Sequence, residues 1–396
     1  MSARRGGAFE VLAAFTRLGL TSFGGPVAHI GYFRREFVER RRWLDDTQFA
    51  HLLALCQFLP GPASSQMGFS LGLLRAGWTG ALAAFIAFTL PSALLLFAFA
   101  MLLPSLDNAI GQAAIHGLKL VAVAVVGQGV LGMARQLCPD APRASIAVAA
   151  LALVLVTGLA WMQLVVVAGG ALAGLVLRRS VAPPAGPPLT PPFGMRTGCV
   201  LFAAFLVLLL ALPVLAARAD GFFAVVEAFY RAGALVFGGG HVVLPLLRDT
   251  VVAPGWVSSD DFLAGYGAAQ AVPGPMFSFA SYLGARLPDG HGGALGATVA
   301  LLSIFLPGLL LVAGALPLWR AIADHPVAAR AVAGVNAAVV GLLAAALYDP
   351  VWTSAVRAPV DVAIAAIAFV MLVAWRASPL LAVAWCVAAS VGLTLA

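Results

Sequence analysis

Apolar runs of about twenty residues follow one another along this chain, at 78–103, 145–161, 164–177, 200–217, 295–318 and 360–374. A bilayer core of about 30 Å takes about 20 helical residues to cross, so the runs predict a bundle of membrane helices. Only 10% of the residues are charged and 62% are hydrophobic, whereas about a quarter of a soluble domain is charged. The alternating pattern of a membrane β-barrel is missing. The expected fold is all-α and polytopic, with no soluble domain left over. The opening MSARRGGAFEVLAAF imitates a signal peptide, but Glu10 and Arg17 interrupt its apolar run, so it is read as mature protein.

Inside this apolar background the helices are broken in a repeated way. FGGP stands at 23–26 and PGP at 60–62; FGGG stands at 237–240 and PGP again at 273–275. Phe15, Arg17, Gly19 and Phe23 recur as Phe229, Arg231, Gly233 and Phe237, an offset of 214. Trp43, Phe49, Gln57, Pro60 and Ser65 recur as Trp256, Phe262, Gln270, Pro273 and Ser278, an offset of 213. TLPS at 89–92 answers FLPG at 305–308. The expected organisation is a first repeat over 1–180, a Pro-rich cytoplasmic linker over 181–197, an extra linking helix over 198–217 and a second repeat over 218–396. The linker VAPPAGPPLTPPFG holds six prolines and no charge, a composition that stays extended and stiff.

Basic residues in short loops mark the cytoplasmic side. Arg34, Arg35, Arg40, Arg41 and Arg42 follow the first break, and only Arg248 follows its twin. The two repeats are therefore expected to be inverted, with the N-terminus cytoplasmic and the C-terminus outside. Segments 8–33 and 47–74 would each enter and leave on one side as re-entrant hairpins; thirteen full crossings are the rival arrangement. The net charge of +7 reports such loops and implies no nucleic acid. Cys56, Cys138, Cys199 and Cys386 stand singly, with no spacing for a metal or a redox pair, and no cofactor is expected.

A half-helix starting inside a membrane presents free N–H groups and a positive dipole end, which suits an anion. Broken helices at matching positions of inverted repeats point to a carrier's substrate site. The candidate binding residues are Gly24, Gly25, Pro26, Gly61, Pro62, Ser64, Ser65 and Gln66 in the first half and Gly238, Gly239, Gly274, Pro275 and Ser278 in the second. Arg17, Arg231 and Lys119, the chain's only lysine, are the candidates for balancing charge. Carboxylates are scarce in the apolar runs, only Glu227 nearing the middle of one, so proton coupling would fall on His29, His116 or His241, or on the substrate itself.

At FGGPVAHIGYF, QFLPGPASSQ, VFGGGH and AQAVPGPMFSF the sequence resembles the long, two-domain chromate transporters of bacteria over nearly its whole length. The resemblance implies a carrier in the cytoplasmic membrane that exports chromate, confers chromate resistance and is driven by membrane potential or a proton gradient. The implied partners are chromate or sulfate and the lipid bilayer, with a homodimer left open. The second half departs from the pattern, with Gly240 where the first has Pro26 and His241 two positions before the counterpart of His29. Sulfate carriage, a passive anion channel and a membrane-embedded enzyme are the alternatives.

Overall fold

The computed structural model describes residues 6–158, 162–176, 189, 191–218, 221–237, 242–288, 290–319 and 326–395. Among them the chain is helical, without strands. The first half runs α1 (Ala8–Thr21), α2 (Gly25–Phe33) continuing into a π-helical turn (Arg34–Arg40), α3 (Asp46–Phe58), α4 (Ala63–Leu102), α5 (Ala109–Leu137), α6 (Ala141–Thr157) and α7 (Met162–Leu175). After α8 (Met195–Ala216) the order repeats: α9 (Phe222–Ala234), α10 (Val243–Leu247) with its own π-helical turn (Arg248–Val252), α11 (Ser259–Ala271), α12 (Phe279–Ala285), α13 (Gly293–Ala315), α14 (Pro326–Ala346), α15 (Pro359–Val373) and α16 (Pro379–Leu395). Even the caps correspond. Asp45 accepts from the Gln48 N–H before α3, and Ser258 accepts from the Asp261 N–H before α11; such side chains take up one of a helix start's orphan donors.

α4 is two helices. Ala76 and Gly77 leave helical geometry, Gly77 with φ 68°, a left-handed backbone that glycine adopts without a Cβ penalty. Gly72 and Gly80 would lie about 12 Å apart in one continuous helix. Instead a Cβ on either would run into the backbone carbonyl of the other. The arms 63–75 and 78–102 are therefore antiparallel. In the second half the same contact joins Gly284 of α12 to Gly296 of α13.

Both broken segments of the first half are closed hairpins. The Glu10 carboxylate receives Arg75 at 3.1 Å, the Trp43 indole N–H at 3.2 Å and Arg41 at 3.8 Å, and the Gly6 N–H donates to Arg75 O at 3.1 Å. The start of α1, the end of the π-helical turn and the end of the first α4 arm thus gather at one end. Segments 8–40 and 46–75 each run to a glycine break and return. Burial pushes the Glu36 carboxyl up, but hydrogen bonds from Arg41 and Arg40 outweigh it and hold the group below its ordinary value. Arg34 to Arg40, read from sequence as a loop, continue the helix.

Five stretches are long and apolar enough to cross a membrane among the described residues: Ala63–Leu106, whose crossing part is the second α4 arm, Ala109–Leu137, Met195–Ala216, Gly293–Leu318 and Val327–Ala355. α6, α7, α15 and α16 are apolar but shorter. The halves interlock through glycines. Gly117 of α5 lies against the backbone of Cys386 and Val387 in α16, and Gly334 of α14 lies against Gly170 and Gly174 in α7; these pairs exchange at an offset of 217. Lipid offers helices no hydrophobic drive to associate, so close contact of small residues does the work. Gly334→Leu, whose Cβ meets the Gly170 carbonyl, is expected to cost about 1–3 kcal/mol through overpacking. A lowered unfolding midpoint in detergent is the expected reading. Gly132→Leu, in open space on α5, should leave the midpoint in place.

Candidate functional site

The breaks of one half meet those of the other. The Gly61 N–H donates to Val236 O at 2.7 Å, and the Gly274 N–H donates to Ser22 O at 3.0 Å. Gly61 and Gly274 are counterparts, as are Ser22 and Val236, so one bond is made twice with the halves exchanged. Each Pro-Gly-Pro is pinned to the residue that precedes the other half's Phe-Gly-Gly. The glycines allow this geometry, with φ 99° at Gly24, 72° at Gly25, 122° at Gly61 and 110° at Gly274. Pro26 falls in the first turn of α2, and Pro62 is the N-cap of α4. Neither helix start has a side-chain cap, so their first N–H groups are left for a ligand or water.

Side chains around this crossing are polar and buried on the first-half side. His29 is fully buried; its Nε2 lies 3.1 Å from Ser22 O and its ring stands edge-on to Phe88. The carbonyl can only accept, so Nε2 carries the proton. The Gln66 amide nitrogen donates to Pro60 O at 2.8 Å and to Gly308 O at 3.1 Å, which leaves its oxygen as an acceptor. Ser92 Oγ lies 2.8 Å from Thr89 O and 2.7 Å from Ser278 Oγ; with Ser92 donating to the carbonyl, Ser278 donates to Ser92. Ser22 Oγ, His29 Nδ1, Ser65 Oγ, Gln66 Oε1, Ser70 Oγ and Thr89 Oγ1 are buried without a hydrogen-bond partner among the described residues. Buried polar atoms are seldom left so, because an unmet partner costs about 1–3 kcal/mol. Gly68 sits over the rings of Phe15 and Phe33.

The second half does not repeat this chemistry. Counterparts of Ser22, His29, Gln66 and Thr89 are Val236, Val243, Phe279 and Phe305, all fully buried. Ser65 keeps its serine as Ser278, and Ser92 has a glycine, Gly308, as its counterpart. The backbone of the crossing is two-fold, and its polar lining is one-sided.

The candidate cations lie elsewhere. Arg17 is exposed on the outward face of α1. Arg231 is exposed and bonded to Glu227 at 2.6 Å. Lys119 is buried, but its ammonium meets Asp260 at 2.6 Å, at the exposed start of α11 and away from the breaks. His116 lies on α5 against Asp361 at 2.8 Å. Gly238, Gly239, Gly240 and His241 lie outside the described residues, as does most of the linker. The structure therefore brings together Gly24, Gly25, Gly61, Pro62, Ser64, Ser65, Gln66, Gly274, Pro275, Ser278 and His29. Sequence reasoning passed over Ser22, Ser70, Thr89, Ser92 and Asp361. Asp361 is buried and accepts from the backbone N–H groups of Arg357 and Ala358. No group of three or more metal-ligating side chains occurs among the described residues.

A multi-pass membrane protein made of two matching halves, with broken helices meeting at their crossing, has the architecture of a membrane carrier. The profile of the Chromate transporter family matches residues 9–175 and 223–393, and the chain belongs to that family, one of transporters. It is 30% identical to the Chromate transport protein of Pseudomonas aeruginosa over 93% of this chain and 87% of that one. It is 28% identical to the Chromate transport protein of Cupriavidus metallidurans, over 91% and 86%. Uncharacterized transporter YwrA of Bacillus subtilis is 29% identical and covers 51% of this chain with 96% of its own length, as a protein with one such half would. No solved structure matches the chain.

Proposed function

We infer that the chain is a secondary carrier that exports chromate, a tetrahedral oxyanion, across the bacterial cytoplasmic membrane and so confers chromate resistance. The observation that carries this reading is the crossing of the breaks, where two uncapped helix starts adjoin buried hydroxyls with nothing to bond. Helix starts attract anions through free N–H groups and dipole, and hydroxyls donate to oxyanion oxygens. Gly24, Gly25, Gly61, Gly274 and the turns after Pro62 and Pro275 supply backbone; Ser64 and Ser65 supply hydroxyls, and Ser278 does so by turning its proton from Ser92 to the anion. The exchanged bonds at Gly61 and Gly274 support a two-fold relation between halves, and the arginine-rich end of the first supports an inverted one. The hairpins 8–40 and 46–75 are then re-entrant, with the breaks at membrane depth, where irregular backbone survives only inside protein or against a wet cavity. The N-terminus lies in the cytoplasm and the C-terminus outside.

Inverted membrane vesicles containing the protein should accumulate radiolabelled chromate above empty vesicles, and excess sulfate should compete. Uptake equal to that of empty vesicles overturns the reading. Uptake of sulfate with none of chromate moves the substrate to sulfate.

A further inference from the structure

A dianion brought into a buried site needs a compensating positive charge, and the first-half side of the crossing has no cationic side chain among the described residues. Arg17 faces outward, Arg231 pairs with Glu227, and Lys119 pairs with Asp260. That side of the crossing does hold one basic atom. His29 spends its Nε2 proton on Ser22 O, so in the neutral ring Nδ1 is a bare lone pair. That atom is buried without a hydrogen-bond partner among the described residues, as are the hydroxyls of Ser22, Ser65 and Thr89. Hydroxyls can turn to donate or accept; a bare imidazole nitrogen can only accept. Against an oxyanion it is repulsive until it gains a proton.

Resting on the oxyanion reading above, we propose that His29 takes up one proton at Nδ1 as the anion arrives and becomes the cationic donor of the site. Substrate and proton occupy the site together, and the ring carries a positive charge only while the anion is bound. The proton comes from solvent and is held between Nδ1 and a substrate oxygen; no other bond changes. The charged groups on the elements packed around His29 leave this role to it. Glu10 of α1 and Arg75 of α4 pair with each other at the arginine-rich end, and Arg17 of α1 points away. Val243, the counterpart of His29, has no basic atom, so that position of the second half supplies no charge.

The test is calorimetric titration of the purified protein with chromate, in buffers of different ionisation enthalpy, at alkaline pH where the free anion carries no proton. The wild type should take up about one proton per chromate bound, and its affinity should fall about tenfold for each unit rise in pH. His29→Gln keeps a donor for Ser22 O and lacks a base, so its binding should be weaker, without proton uptake and flat with pH. His241→Gln, in the second half's FGGGH stretch, should keep the wild-type proton count. Chromate bound by the wild type with no proton uptake overturns this inference and leaves the oxyanion reading standing. Binding of neither chromate nor sulfate at any pH overturns both. The wild-type measurement decides the matter even if His29→Gln does not fold.

Discussion

Gly274→Ala will reduce chromate transport by about one to two orders of magnitude while the protein still folds and inserts. Gly274 has φ 110°, a backbone that an L-residue holds only under strain of about 1–3 kcal/mol. Its new Cβ would lie 2.8 Å from Ser92 Oγ, 3.1 Å from Ser92 Cβ and 3.2 Å from Phe88 O. Ser92 cannot retreat without dropping Thr89 O or Ser278 Oγ, both of which it touches. Strain and displacement thus fall on the strand of contacts that joins the second Pro-Gly-Pro to Ser22. At about 1.4 kcal/mol per factor of ten, that loss gives the stated range. Gly61→Ala should act alike, since its Cβ meets Gly308 Cα at 3.0 Å and the Gln66 amide at 2.8 Å. Gly77→Ala separates backbone strain from damage at the crossing. It has a comparable left-handed φ of 68° with nothing within 4 Å of the added Cβ, at the hairpin turn far from the breaks. It should lower thermal stability and leave chromate affinity alone. Transport by Gly274→Ala at the wild-type rate would remove the crossing from the mechanism.

What could be read from the sequence was what local chemistry fixes. Glycine and proline act on the backbone where they stand, so the breaks at 24–26, 60–62 and 273–275 fall where their residues put them. Apolar runs fix a helical membrane protein because few other structures satisfy the backbone in lipid. Arg17 shows where this legibility ends. Its position six residues before the break suggested the site, but Phe15, Leu18 and Gly19 form the buried stripe of α1. Residues three and four apart share a helix face, and that stripe turns Arg17 outward. Arg231 follows because Phe229, Ala232 and Gly233 repeat the stripe. Thr89 and Ser92 were overlooked for a different reason. They lie in the middle of a long apolar run, and only the antiparallel fold of α4 at Gly77 carries them back to the breaks. Gly240 in place of a proline and the shifted His241 already pointed to unequal halves, and the replacement of Ser22, His29 and Thr89 by Val236, Val243 and Phe305 shows how far the polar lining departs from the two-fold offset.

The matching halves also differ in packing, and that difference makes a second large prediction. α11 lies against α5 and α16, and α10 lies against α14. Their counterparts in the first half, α3 and α2, form no comparable interface with α14, α7 or α5 among the described residues. The outcome is sharpest at one pair of identical residues: Gln57, just before the first Pro-Gly-Pro, is exposed. Gln270, just before the second, is 7% exposed, with its amide donating to Tyr266 O at 3.3 Å. Two halves of like sequence in unlike environments are what a carrier resting at one end of its cycle presents, since exchanging the two environments yields the other end at similar energy. In a Cys199→Ser background, which removes the exposed native thiol, Gln57→Cys should react with a charged maleimide at least about tenfold faster than Gln270→Cys. A tenfold ratio corresponds to about 1.4 kcal/mol of opening. A charged reagent reaches water-filled space and not lipid, so fast labelling also places Gln57 on a wet path to the breaks. Lys119→Met removes the 2.6 Å contact that ties α5 to Asp260 at the start of α11, and should raise the labelling of Gln270→Cys while that of Gln57→Cys falls. Equal rates at the two positions in the unmodified pair would mean that the halves exchange freely at rest, and a slow Gln57 would mean that it faces lipid.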